Sequence, residues 1–76
     1  MNKDRRKSLS TILASLEALG AELSALHDEE EEAFEALPES LQEGDKGEAA
    51  QAAIENLEQA QSAIEDAKEY IETASE

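Results

Sequence analysis

Cysteine and tryptophan are absent from the 76 residues, and phenylalanine, tyrosine, proline and histidine each occur once. Without cysteine the chain has neither disulfides nor thiolate metal sites, and its redox compartment stays open. With so little aromatic bulk, any core must be aliphatic. A domain this small buries too little apolar surface to be comfortable alone, so oligomerisation is the remaining route to stability. Basic residues are scarce too. Six Lys and Arg against 20 Asp and Glu leave a net charge of -14. Such a composition ordinarily marks a disordered acidic segment. Here Leu, Ile and Ala recur at alternating intervals of three and four, which is the pattern of a helical core.

The first 21 residues place a basic stretch before an apolar one, the order found in signal peptides. Ser10, Thr11 and Ser15 dilute the apolar run, and Glu17 ends it. The leucine spacing then continues past any cleavage point. The segment reads as core, and nothing approaches the roughly 20 apolar residues of a membrane span. No membrane association and a cytoplasmic location are therefore expected.

The apolar positions run Leu9, Ile12, Leu16, Leu19, Leu23 and Leu26, then Glu30, Ala33 and Leu37, as a heptad a and d seam requires. Only Glu30 breaks it. Leu13 and Phe34 add a flanking e position, which widens the stripe to that of a bundle helix. Gly20 lies on the same flank and costs about 1 kcal/mol of helix propensity relative to Ala, so it implies a close neighbour. One helix is predicted from about residue 3 to 37. Pro38 stops it, because its ring blocks a helical hydrogen bond and pushes the preceding residue out of helical conformation.

Residues 38–47, "PESLQEGDKG", form the hinge. Pro38 opens a single turn through Gln42, with Leu41 folding back onto Leu37 and Phe34. Gly44 and Gly47 supply the reversal, and Asp45 with Glu48 has the spacing of a capping box. A second helix is predicted over about 48–74, with Ala50, Ala53, Leu57, Ala60, Ile64, Ala67, Ile71 and Ala74 on its seam. An antiparallel hairpin with paired numbers summing to 83 sets large residues beside alanines in alternate layers. It also brings Arg5, Arg6 and Lys7 beside Glu72 and Glu76. The fold class is all-α, a two-helix hairpin of coiled-coil type.

One seam leaves apolar surface over. Leu13 and Phe34 on the first helix, and Ile54, Ala63 and Tyr70 on the second, are the expected oligomer face. Through it two hairpins would pair as a homodimer and four-helix bundle.

No catalytic constellation is present, so the chain reads as a non-enzyme without cofactor. The serines lack a base held beside them by any recognisable motif. His27 is the only histidine, and zinc needs three or four ligands, so no metal site is expected. Asp28, Glu30, Glu32 and Glu39 match acid positions of an EF-hand loop. Ala33 stands where that loop needs glycine, and the helical heptad runs through it.

The densest charge is Asp28 through Glu32. Residues 8–76 carry -17 and residues 1–7 carry +3, so positive charge is confined to one end. The 15 acids of Glu17–Glu35 and Glu48–Glu72 fall along a rod of about 40 Å, one per roughly 2.7 Å. Duplex DNA carries one charge per about 1.7 Å. Asp28, Glu29, Glu31, Glu32, Glu35 and Glu39 are the candidate partner-binding residues. The expected partner is a protein with a basic, nucleic-acid-binding surface. Direct nucleic-acid binding through "KDRRK" is not expected, since four basic residues cannot offset the remainder.

The segments "DEEEEAFEALPESLQ" and "GDKGEAAQAAIENLEQA" resemble small acidic helical-hairpin proteins common in phage and prophage genomes, with an LPESLQ-type hinge and an Ala-rich second helix. The resemblance spans nearly the whole chain and is most specific at the hinge. It implies phage origin and hairpin architecture, and brings no catalytic or binding residue with it. Phage chains of this size and charge are often inhibitors of host defence nucleases, some of them DNA mimics. A structural or adaptor protein acting through the apolar face of the second helix is the alternative expectation.

Overall fold

The computed structural model describes Met1–Glu76. It is all-helical, with α1 at Lys3–Glu35, α2 at Glu39–Gln42 and α3 at Asp45–Ala74. The two long helices lie antiparallel. Arg6 reaches the Glu76 carbonyl, Gly20 lies on Ile64 and His27 faces Glu58, so paired numbers sum to 82, 84 and 85. The molecule is a rod of 58 × 15 × 12 Å with a radius of gyration of 17.2 Å, against about 11 Å for a compact chain of this length.

Asn2 caps α1, its side-chain oxygen accepting from the Arg5 N–H at 2.8 Å. α1 ends at Glu35, two residues short of the sequence-based expectation, because the Leu37 N–H turns to the Phe34 carbonyl at 3.1 Å. A residue further on supplies the missing cap. The Gln42 side-chain amide donates to the carbonyls of Leu37 at 3.0 Å, Phe34 at 3.2 Å and Glu35 at 3.3 Å. It thereby satisfies acceptors that the end of α1 leaves open.

Two expectations for the hinge need correction. Asp45 does not cap α3: Gly44 occupies the N-cap position without a side-chain bond, and Asp45 and Glu48 lie in the first turn, where their charge still complements the helix dipole. The glycines do not supply the reversal through left-handed backbone, since none has positive φ. Gly47 is instead the one buried residue of the chain. The Gln42 carbonyl lies directly against it, in space that any side chain would need. Leu41 remains 40% exposed, so it covers the end of the core only in part.

The seam is also rotated from its expected position. On α1 the partly covered residues include Leu9, Leu13, Leu16, Gly20, Leu23, His27, Glu30 and Phe34, and Leu37 follows in the hinge. The row expected at position d points outward instead, with Ile12 46%, Leu19 49% and Leu26 52% exposed. Two helices can cover only some of the apolar rows. Gly20 lets its own row approach α3 closely, with Ile64 Cγ2 3.6 Å from where a Cβ would stand. On α3 the expected seam from Ala50 to Ile71 is in place, while Ala74 is exposed. Ile54 joins it. Leu13, Phe34 and Ile54, expected on the oligomer face, therefore belong to the hairpin seam; Ala63 and Tyr70 are exposed.

The terminal ion pairs expected across the hairpin do not form. Charged contacts within 4.0 Å involve only His27 and Lys68 as cations, and Arg6 meets a backbone carbonyl at 3.4 Å. The expectation that no segment approaches a membrane span is corrected as well: α1 is long and apolar enough to cross one by length and composition. Leu9, Leu13, Leu16 and Leu23 of that helix are partly covered by α3, while Ile12, Leu19 and Leu26 stay exposed.

Candidate functional acidic face

Acid is sorted by helix geometry. At 100° per residue, α1 positions just after its seam and α3 positions just after its seam fall on the same side of an antiparallel pair. Carboxylates fill part of those positions, Glu17, Asp28, Glu31 and Glu35 on α1 and Glu55, Glu58, Glu65, Glu69 and Glu72 on α3, and between them stand Ala21, Ser24 and Gln61. Near the hinge, Glu31 and Glu35 of α1 line one open groove with Glu55 and Glu58 of α3, floored by Phe34 and Ile54. Near the termini, Glu17 of α1 shares a second groove with Glu65, Glu69 and Glu72 of α3, with Lys68 the one cation among them. The acid of two helices thus forms two clusters on one side of the rod, one near the hinge and one toward the termini.

The candidate residues divide on this geometry. Asp28, Glu31, Glu32 and Glu35 line a common concavity. Glu29 does not join them; it lies on the opposite flank of α1, and Glu39 opens α2. Glu55 and Glu58 complete the hinge-end cluster, which the acid run of α1 alone could not reveal. Their approach follows from the antiparallel register. Residues 28–35 are helical throughout, so the loop of an EF-hand does not form there.

His27 lies at the centre of this face. Its side chain is 16% exposed, with Nδ1 3.3 Å from Asp28 Oδ1 and 3.7 Å from Glu31 Oε2. Nε2 is 3.4 Å from Glu58 Oε1 on α3, a separation suited to ion pairing but not aligned as a hydrogen bond. The Asp28 contact, with Glu58 and Glu31, holds the imidazole above its usual value of 6.5, against the opposing effect of burial. His27 is also not the lone candidate ligand expected from sequence. Its ligand atom, with those of Asp28 and Glu31, forms a set within 4.8 Å that could hold a cation.

Because the folded pKa is raised, protonated His27 stabilises the hairpin below about pH 6.5, and that contribution is lost as pH rises through the folded value. The thermal midpoint of wild type is therefore expected to fall more than that of His27→Gln between about pH 5.5 and pH 8.5. Equal pH dependence of the two proteins would show that the cross-helix contact adds nothing.

The fold and this surface define an all-α helical hairpin with clusters of carboxylates from both long helices on one side. No protein-family model matches the chain, and no curated protein or solved structure is significantly similar to it.

Proposed function

We propose that the chain is a phage-type, non-enzymatic inhibitor of a host defence nuclease or effector, of the anti-CRISPR or anti-restriction kind. Its acidic face occupies a basic nucleic-acid site in place of the phosphate backbone. The observation that carries this reading is the alignment of carboxylates from both helices along one side of a straight rod. Charge so arranged steers association with a basic cleft and makes binding weaken with salt. The resemblance of the hinge to that of phage hairpins supports the same setting.

A second reading rests on a separate observation. Ile12, Leu19 and Leu26 leave a row of large apolar side chains about half exposed, with Tyr70 76% exposed on α3. Under that reading the protein is structural or an adaptor, two hairpins pair into a four-helix bundle, and acid keeps the assembly soluble.

A pull-down with tagged protein from bacteria carrying active defence systems, washed at low and at high salt, separates the two. Recovery of a basic nuclease or effector that salt releases, and that duplex DNA displaces, is the expected result. A partner held equally in high salt, or recovery of the protein alone, would shift the function to the apolar face.

A further inference from the structure

The apolar face left over by the hairpin is built to accept a second copy in one orientation. Arg5, Ile12, Leu19, Leu26 and Ala33 follow one another at seven-residue intervals, all of them exposed. They lie just before the α1 seam, as Ala63 and Tyr70 lie before the α3 seam. In an antiparallel pair both rows fall on the same side, opposite the carboxylate grooves. This side carries fewer acids, Glu22, Glu29 and Asp66, and holds the exposed large apolar residues that the groove side lacks.

Surface area indicates how much remains to be covered. The hairpin exposes 5619 Å², whereas a compact chain of 8.2 kDa exposes about 4500 Å². The excess is of the size that each partner buries in a standard interface, about 800 Å². No hydrophobic residue of the single hairpin is fully buried. A chain with no cysteine and no buried apolar side chain needs that second surface to hold its fold.

Charge selects the orientation. Lys3, Arg5 and Lys7 have no carboxylate within 4.0 Å in the hairpin. The acid run lies at the far end of the same helix. A two-fold axis parallel to the helices would set two Asp28–Glu35 runs side by side, which is repulsive. An axis perpendicular to the helices, passing at Leu19, reverses the second copy. Ile12 then meets Leu26 of the partner subunit, and Arg5 comes opposite Ala33 of the partner subunit, beside Glu29 of the partner subunit. The register also uses the small residues of α3. Ile64 lies level with Gly20, so Tyr70 falls over the small-residue segment around Ala60 of the partner subunit.

We infer that the protein forms an antiparallel homodimer in which the Ile12, Leu19 and Leu26 row of one hairpin packs on the same row of a second copy, leaving both acidic faces outward. This rests on the four-helix pairing of the second reading above and specifies its face and its axis. It is compatible with partner binding on the opposite side.

The absence of cysteine makes the test direct. Leu19→Cys should oxidise to a covalent dimer about a thousandfold faster than Ala18→Cys on the outer surface, as expected when an effective concentration near millimolar replaces micromolar protein. Mixed Ile12→Cys and Leu26→Cys should cross-link to each other and not to themselves. Leu19→Glu, at a position half exposed in the single hairpin, should halve the mass in light scattering while retaining helical circular dichroism. A dimeric protein in which Leu19→Cys links no faster than Ala18→Cys would overturn the choice of face, and one in which Ile12→Cys links to itself would overturn the orientation. A monomeric wild type at micromolar concentration would overturn the pairing itself.

Discussion

Gly47→Ala is expected to disrupt the hinge and destabilise the protein by about 3 kcal/mol or more, the range of overpacking at a site whose neighbour cannot move freely. An alanine Cβ there would collide with the Gln42 carbonyl and stand 2.7 Å from Gln42 Cα. The obstacle is backbone, and it cannot rotate aside. Gln42 is moreover held by its own side chain, which caps the end of α1. Moving one residue therefore loosens the other helix. Gly20→Ala is the matched control, because its Cβ would rest 3.6 Å from Ile64 Cγ2, an ordinary contact. It should raise stability by about 1 kcal/mol through helix propensity. Chemical denaturation of the three proteins checks both signs, and equal midpoints would remove Gly47 from its assigned role.

Added salt should raise the thermal midpoint by about 5–15 °C between about 0.01 M and 1 M, where the screening length contracts from about 30 Å to about 3 Å. Like-charge pairs set the size of the effect. Within Asp28–Glu35, five carboxylate pairs stand three or four residues apart on one helix. Each opposes the helix by about 0.2–0.5 kcal/mol, or about 1–2.5 kcal/mol together. The grooves shared with α3 add cross-helix repulsion, offset within 4.0 Å only by His27 and Lys68. For a domain this size, 1 kcal/mol moves the midpoint by about 4–8 °C. A midpoint that fell with salt would mean that attractive charge contacts dominate the fold. A charged face that destabilises its own scaffold is what the proposed recognition surface would require.

The two long helices, the Pro38 break and the antiparallel pairing were legible because apolar spacing and proline chemistry act locally. The choice among rows was not. Leu9, Ile12 and Leu13 begin three adjacent rows on α1, and heptad spacing favours the first two. The hairpin closes on the first and third, because Gly20 and Ile64 set how closely the helices approach. Leu13 and Phe34 thus moved into the seam, and Ile12, Leu19 and Leu26 moved out. The hinge misled in a similar way: Asp45 and Glu48 have capping-box spacing, but α3 starts one residue earlier, in the turn packed between Gln42 and Gly47. On the acidic face, Asp28, Glu31, Glu32 and Glu35 were readable as one cluster from helical spacing. Glu55 and Glu58 could join them only once the register was known.

A recognition surface and a merely solvated one differ in what neutralising this cluster does to binding. The most direct test replaces Asp28 with Asn and Glu31, Glu32 and Glu35 with Gln, then measures affinity for the recovered basic partner across a salt series. Loss of at least about tenfold at low salt, with a flatter salt dependence and helical content retained, is the result predicted for a recognition surface. Unchanged affinity with an unchanged salt slope would contradict it and leave the apolar face as the functional surface.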